Sequence, residues 1–315
     1  MIANGTTRAA AALAEALADQ GARLLDGWPA ALDGEAEALR RVRIATRRLR
    51  AMLPFIEDAT TGASTRRLKR DLKTVGRALG SSRELLVARE ELARAAREHA
   101  WHDHDVAGAE RWLDRRIASA ERARRRKMKR LEISALSQSL GTLTLAATSP
   151  DESIVWPRLV ADRLARRAAH AAGARDAVGT LYEPEHLHAL RIALKKLRYT
   201  VELVGVATDV RSGALAAALK QVQQRYGRLH DRQVLLREVR ACAAAGKPRT
   251  ALACAALVDD LEADCRRWHG DAMTAIAEVD DCVAGATWLS KVLVTPRLAI
   301  ARARLAAPAR RRRTG

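Results

Sequence analysis

Two stretches of the chain place basic side chains at helical spacing beside an apolar seam. In residues 37–50, EALRRVRIATRRLR, the basic positions at this spacing are Arg40, Arg43, Arg47 and Arg50. In residues 185–198, EHLHALRIALKKLR, they are His188, Arg191, Lys195 and Arg198. Side chains three and four residues apart share one face of a helix, so each set forms a continuous line. We call them the first stripe and the second stripe.

The chemistry that such a stripe can perform is the binding of an extended polyanion. Four cations at this spacing line about 15 Å of helix axis, which suits a chain of anionic groups better than one small phosphate. Like charges one turn apart destabilise an isolated helix by roughly 0.2–0.5 kcal/mol per pair, so a bound anion is a natural compensation. The alternative, that the stripes only solubilise an Ala- and Leu-rich bundle, does not explain why the stripe recurs in register.

Further basic residues could extend this path. Residues 122–130, RARRRKMKR, are basic on every face, which makes them weaker evidence. The members of this run that share one face are Arg122, Arg126 and Lys129. A later face carries Arg163, Arg167 and His170. Each of the two groups is equally well interpreted as solvated surface.

An internal repeat relates the two stripes. Seven of the fourteen positions in the two stripe segments are identical, at an offset of 148. The following segments, residues 68–86 and 215–233, match at an offset of 147. The matched candidate positions in these segments are Lys73 with Lys220 and Arg83 with His230. We therefore predict a duplicated chain, with a first half over residues 1–150, a second half over 151–300 and a basic tail over 301–315.

The elements that must carry these residues are helices. Ala and Leu dominate, aromatic residues reach only 3% and hydrophobic residues 48%, and no run of alternating β-branched residues indicates a strand. The seam positions are Leu39, Val42, Thr46, Leu49 and Leu53 beside the first stripe, and Leu187, Leu190, Leu194, Leu197 and Val201 beside the second. This spacing of three and four residues predicts an all-α protein, with about four helices in each half.

Charge and the absence of signals limit the possible partners and location. The net charge of +19, from 56 basic and 37 acidic residues, attracts polyanions. The four cysteines include no CxxC pair, so we expect reduced thiols and cytoplasmic residence. The N-terminal stretch carries Glu15 and Asp19 and is typical of an amphipathic helix rather than a signal peptide. Without an apolar run of about 18 residues we expect no membrane partner.

Residues that could support catalysis or metal binding have an unfavourable context. The histidines of REHAWHDHD, at 99, 102 and 104, are irregularly spaced for a metal site. His230 and Asp231 resemble half of a catalytic dyad, but no Ser or Cys nucleophile with a recognisable context accompanies them. No phosphate-binding or dinucleotide-binding glycine loop occurs. We therefore predict no enzymatic activity, no metal and no cofactor.

The duplicated segments resemble the CHAD family, the conserved histidine α-helical domain. The family motif is roughly H-x-x-R-[VI]-x-x-[RK]-[RK]-L-R and occurs twice. Residues 188–198 match all of it, and residues 43–50 match it from its first arginine onward. The second element of the family follows as LGSSRE at 79–84 and YGRLHD at 226–231. The resemblance covers about residues 8–300. It implies two four-helix bundles related by a pseudo-twofold axis, with a basic channel between them that binds inorganic polyphosphate.

The resemblance also implies which residues face the ligand. They are Arg43, Arg47, Arg50 and Lys73 in the first half, and His188, Arg191, Lys195, Arg198, Lys220 and His230 in the second. The first-half histidine of the family is Arg40 here. This departure keeps the positive charge but removes any role in proton exchange at that position.

The sequence therefore predicts a non-catalytic polyphosphate-binding protein, with the polyphosphate granule as a further expected location. The alternative is a protein that binds the nucleic-acid backbone. The scarcity of aromatic residues argues against it, because none interleaves with the stripes to stack on a base. A phosphotransferase or polyphosphatase would need matched carboxylates for Mg²⁺, which the basic segments lack. The full set of predicted binding residues is Arg40, Arg43, Arg47, Arg50, Lys73, Arg83, Arg122, Arg126, Lys129, His188, Arg191, Lys195, Arg198, Lys220 and His230.

Overall fold

The regular structure of the chain is helical. The computed structural model describes residues 2–59, 65–148, 156–208 and 210–295, and within these ranges it contains eleven α-helices and no strand. The prediction of an all-α protein is confirmed. The helices are α1 (Ile2–Asp26), α2 (Trp28–Asp33), α3 (Ala36–Ala59), α4 (Arg66–Glu98), α5 (Asp103–Lys129), α6 (Ile133–Thr148), α7 (Trp156–Asp176), α8 (Pro184–Ala207), α9 (Gly213–Ala245), α10 (Pro248–Thr274) and α11 (Ile276–Val294).

Each half supplies five long helices rather than about four, with the short α2 in addition. Two helix ends that the sequence did not predict follow Lys129 and Thr274, where the linking residues 130–132 and 275 contain neither glycine nor proline. The amino-acid sequence therefore carries no helix-breaking signal at these two points. The predicted boundary near residue 150 and the tail over 301–315 lie outside the described residues.

Three consecutive helices have the same lengths in both halves. α3 and α8 have 24 residues each, α4 and α9 have 33, and α5 and α10 have 27. Their neighbours correspond as well, since α3 packs between α1 and α4 while α8 packs between α7 and α9. Equal lengths and equal neighbours are what a duplication would produce, and the duplication stays a hypothesis.

Packing across the halves positions the two stripe helices. The hairpin of α4 and α5 contacts the hairpin of α9 and α10, and beside them α3 contacts α8. One continuous hydrophobic cluster runs through both halves. Val42, Leu49 and Leu53 of the first seam are buried, as are all five positions of the second. The seam residue Thr46 is also buried, and its Oγ1 donates a hydrogen bond to the carbonyl of Val42 at 2.7 Å.

A buried ionic network fastens the two long hairpins together. The guanidinium of Arg232, on α9, is fully enclosed, and its Nη1 donates to Asp264 Oδ2 on α10 at 2.5 Å. Its Nη2 donates to Glu98 Oε2 at the end of α4 at 2.7 Å. The ring of Trp268 lies 4.5 Å from the guanidinium carbon. Three helices from both halves therefore meet at one buried charge.

Of the three histidines that the sequence analysis considered for a metal site, one lies in this network and two lie at the start of α5. His99 Nε2 lies 2.9 Å from Asp264 Oδ2, within the network. The backbone N–H of His102 donates to the Asp105 carboxylate, and the ring of His102 stacks on that of His104 at 5.5 Å. Among the described residues, no group of three or more His, Cys, Asp or Glu side chains is placed to hold a metal ion.

Two further expectations concern the membrane and the cysteines. Within the described ranges, none of the helices combines the length and the apolar character that a membrane span needs. Cys242, Cys254, Cys265 and Cys282 are all buried as free thiols.

We predict that Arg232→Ala destabilises the fold strongly. The substitution removes the enclosed cation that Asp264 and Glu98 share and leaves the buried Asp264 dependent on the more exposed Arg267. Removing one partner of a buried ion network typically costs about 3–5 kcal/mol. Arg228→Ala is the matched control, because Arg228 is exposed on the same helix, and it should change stability by no more than about 0.5 kcal/mol. The free energy of unfolding in urea gives both values. If Arg232→Ala lowered the free energy of unfolding as little as Arg228→Ala, the network would not be what holds the hairpins together.

Candidate functional site

The two stripes come together where α3 packs on α8. The charge of Arg47, in the first stripe, acts on both Arg191 and Lys195 of the second. Arg43 also acts on Lys195. All four side chains are half-buried. We call Arg43, Arg47, Arg191 and Lys195 the central cluster.

The central cluster holds like charges close together and partly out of water. Burial, followed by the charges of Arg47 and Arg191, lowers the pKa of Lys195 to about 7. Burial and then Arg47 lower the pKa of Arg43 to about 10. The Nε of Arg43 is buried without a hydrogen-bond partner. Repulsion and an unused donor both oppose folding here, so the cluster gains stability from any anion that reaches it.

Each stripe ends against the next helix in its own half. The guanidinium of Arg50 lies on Gly76 of α4 so closely that a Cβ there would sit 2.9 Å from Nη1. Arg198 Nε donates to Gln223 Oε1 of α9 at 3.0 Å. Positions 76 and 223 correspond at the repeat offset of 147. Arg50 is exposed, whereas Arg198 is half-buried and paired with Glu202, which leaves less of its charge for a ligand.

The opposite end of the second stripe is a pair of imidazoles. The ring centroids of His188 and His230 are 5.1 Å apart. Burial, followed by the charges of Arg191 and His188, lowers the pKa of His230 to about 3. His230 is therefore uncharged at neutral pH. It can offer a hydrogen bond or a ring face to a ligand but not a positive charge.

Two carboxylates lie at this same end of the central cluster. Asp231 and Glu84, which occupy matched positions of the repeat, both act on Arg191. Burial raises the pKa of Asp231, while Arg191 and then Arg83 oppose that change. The charge of Arg83 also reaches Arg43, although Arg83 is exposed. The site is thus strongly cationic at its centre and mixed in charge beside the imidazole pair.

The sequence profile of the CHAD domain matches residues 15–240. The chain belongs to the CHAD family. The resemblance inferred from the paired motifs is confirmed, and it extends over well more than half of the sequence.

Solved structures with the same fold include a CHAD domain. PptA from Streptomyces chartreusis has 19% identity and a TM-score of 0.63, over 86% of this chain and 99% of that one. The CHAD domain from the plant Ricinus communis has 18% identity and a TM-score of 0.66, over 86% of this chain and 91% of that one. A search among curated proteins found no match. At these identities the structural likeness shows the fold alone.

The remaining predicted residues of this CHAD chain lie at the edge of the cluster or away from it. Arg40 is exposed and paired with Glu37 at 3.1 Å, although its charge reaches Arg43. Lys73 and Lys220 are exposed on α4 and α9. The group on α5 lines an open depression of about 320 Å³ of its own, formed by Arg122, Arg125, Arg126 and Lys129. Their part in binding stays a prediction.

The CHAD fold also brings together cations that the stripe pattern missed. Burial, then the charges of Arg167 and Arg50, lower the pKa of Lys196. Arg167 comes from the α7 face that the sequence left undecided. Lys196 falls outside the stripe register, and its only signal was the doublet with Lys195. We call Arg167, on α7, and Lys196, on α8, the α7 extension, because together they continue the cationic surface from Arg50 onto α7.

We predict that Lys195→Met stabilises the protein at pH 6 and loses this advantage as the pH rises. The pKa of Lys195 is 10.5 when unperturbed and about 7 when folded, so between these values the unfolded chain binds more protons. Wild-type stability therefore rises with pH across that window, and the repulsion that Met removes is complete only below pH 7. Urea unfolding from pH 6 to 10.5 in chloride buffers measures the difference. A difference in unfolding free energy between variant and wild type that does not change with pH would contradict the lowered pKa of Lys195.

Proposed function

We propose that this CHAD protein binds inorganic polyphosphate, without catalysis, in the groove where α3 meets α8. One observation carries the proposal: stripes from two distant parts of the sequence form a single half-buried group of cations. Surface charge alone would not require cations to converge against their own repulsion. A chain of phosphates would neutralise them and would supply acceptors for the guanidinium groups.

The extent of the cationic surface favours a chain over a single anion. From Arg43 to Arg50 the first stripe covers about 10 Å of helix axis. The α7 extension carries the surface further across α8. Repeating cations match a ligand that repeats one charge per unit. We place this binding in the cytoplasm, with the polyphosphate granule as the location where such a ligand is concentrated.

The alternative ligand is the backbone of a nucleic acid, which the net charge also attracts. Half-burial of the central cluster argues against it, because a duplex presents its phosphates on a broad convex surface. Tyr199 lies next to the cluster, but the guanidinium of Arg198 covers its ring at 4.6 Å. That face is therefore closed to a stacked base. Long-chain polyphosphate and duplex DNA should compete unequally for the purified protein at fixed salt, in favour of polyphosphate.

We predict that reversing charge in either stripe severely weakens polyphosphate binding. Arg43→Glu with Arg47→Glu, and Arg191→Glu with Lys195→Glu, should each raise Kd by about 100-fold or more. Each pair removes two charged hydrogen bonds and adds repulsion, and two such bonds are worth about 3 kcal/mol. Isothermal titration across a salt series provides Kd, and its dependence on salt should become less steep.

The control for this experiment is Arg111→Glu with Arg115→Glu on α5. These two arginines are exposed and one turn apart, so they make the same nominal charge change away from the cluster. The control should lose less than tenfold in affinity. Circular dichroism verifies that each variant folds, and Arg43→Gln with Arg47→Gln gives a milder version of the first pair. Equal losses in all variants would identify a diffuse polycation rather than a site.

We predict that the purified protein releases no phosphate from long-chain polyphosphate in the presence of Mg²⁺. His230 is uncharged, and the two acids of the site, Glu84 and Asp231, act on Arg191. Phosphate release is followed over hours, with His230→Ala measured alongside the wild type. Metal-dependent release that disappears in His230→Ala would disprove this part of the proposal.

A further inference from the structure

A cavity of about 570 Å³ opens beside the imidazole end of the central cluster. It lies between the first turn of α8, the middle of α9 and parts of α4 and α10. His188 and His230 belong to its wall, and the charges of Arg191 and Lys195 act on His230. The cavity therefore lies beside the central cluster.

The charge of the cavity wall differs from that of the cluster. Its ionic residues are three acids and three bases, namely Glu84, Glu185, Glu262, Arg237, Arg240 and Arg266. Part of this charge is already paired, because Glu262 binds both Arg240 and Arg266. A polyphosphate chain carries negative charge on every unit and gains nothing from a balanced wall. A ligand with an anionic tail and a neutral head would suit the cluster and the cavity together.

The rest of the wall offers ring faces, apolar surface and a few hydrogen-bonding groups. Tyr182 lies at its edge, where its hydroxyl accepts a hydrogen bond from Gln233 Nε2 at 3.0 Å. The imidazole of His230 faces the space as a neutral ring, and Pro184 and Val234 add apolar surface. Flat heteroaromatic ligands bind in pockets of this composition, and pockets for small molecules typically have about 300–1,000 Å³.

We propose that this cavity binds the base of a nucleoside oligophosphate whose phosphates lie on the central cluster. The inference rests on the proposed function, since it uses the same cations. His188 and Lys195 are separated by about 10 Å of helix axis, which is comparable to the reach of a short phosphate tail. The base would then lie near His230 and Tyr182 while the tail follows the second stripe.

The test compares ATP with inorganic tripolyphosphate at one salt concentration and without Mg²⁺. Tripolyphosphate carries more negative charge than ATP, so a purely electrostatic site binds it more tightly. If the base occupies the cavity, ATP binds roughly tenfold more tightly, because stacking of one base on aromatic side chains is worth about that much. Isothermal titration gives both affinities. A tripolyphosphate affinity equal to or higher than that of ATP would overturn the inference.

Tyr182→Leu identifies the position of the base. It removes the ring while keeping an apolar side chain, so the ATP affinity should fall to that of tripolyphosphate, and tripolyphosphate should bind as before. Tyr199→Leu is the matched control, because Tyr199 lies at the other end of the second stripe and outside the cavity wall. It should leave the ratio of the two affinities unchanged. A ratio that Tyr182→Leu does not lower would overturn the placement.

Saturation-transfer NMR on the wild-type protein keeps the test decisive if Tyr182→Leu does not fold. The adenine protons of ATP should receive more saturation than the ribose protons, and the reverse order would overturn the inference. Binding of long-chain polyphosphate is measured in parallel. If polyphosphate binds and ATP shows no advantage over tripolyphosphate, only this inference fails. If neither polyphosphate nor tripolyphosphate binds, the proposed function fails with it.

Discussion

Repulsion among half-buried cations is the constraint around which the structure is arranged. The central cluster exists because α3 and α8 are pressed together, and its charges favour their separation. The apolar seams beside the stripes supply the opposing force, since nearly every seam residue is buried. The enclosed Arg232 adds a second attachment, where opposite charges rather than like ones meet. Hydrophobic packing and this ion network thus hold the cations at close range.

The two ends of the site are chemically different, although they come from corresponding positions. The residues matched to His188 and His230 are Arg40 and Arg83, both exposed. Where the second half has paired rings beside a cavity, the first half has guanidinium groups in solvent. Helices of equal length can in this way carry an asymmetric site, because the residue types at the matched positions differ.

The parts of this molecule that could be predicted from the sequence are those encoded by spacing along one helix. The seams, the stripes and their shared register follow from intervals of three and four residues, and the paired motifs identified the family. The contacts of Arg232 could not be predicted, because its partners lie more than thirty residues away along the chain. Lys196 was missed for a related reason, since its neighbours Arg50 and Arg167 come from other helices. The cavity likewise is built from four segments, none of which is distinctive alone.

The contact between α3 and α8 makes the candidate site an interface between the two halves of the chain. Each half contributes one helix, so neither half alone contains the central cluster. If an anion binds there as proposed, it attracts both helices at once and offsets the repulsion between them. Part of its binding free energy would then appear as added stability of the contact between the halves.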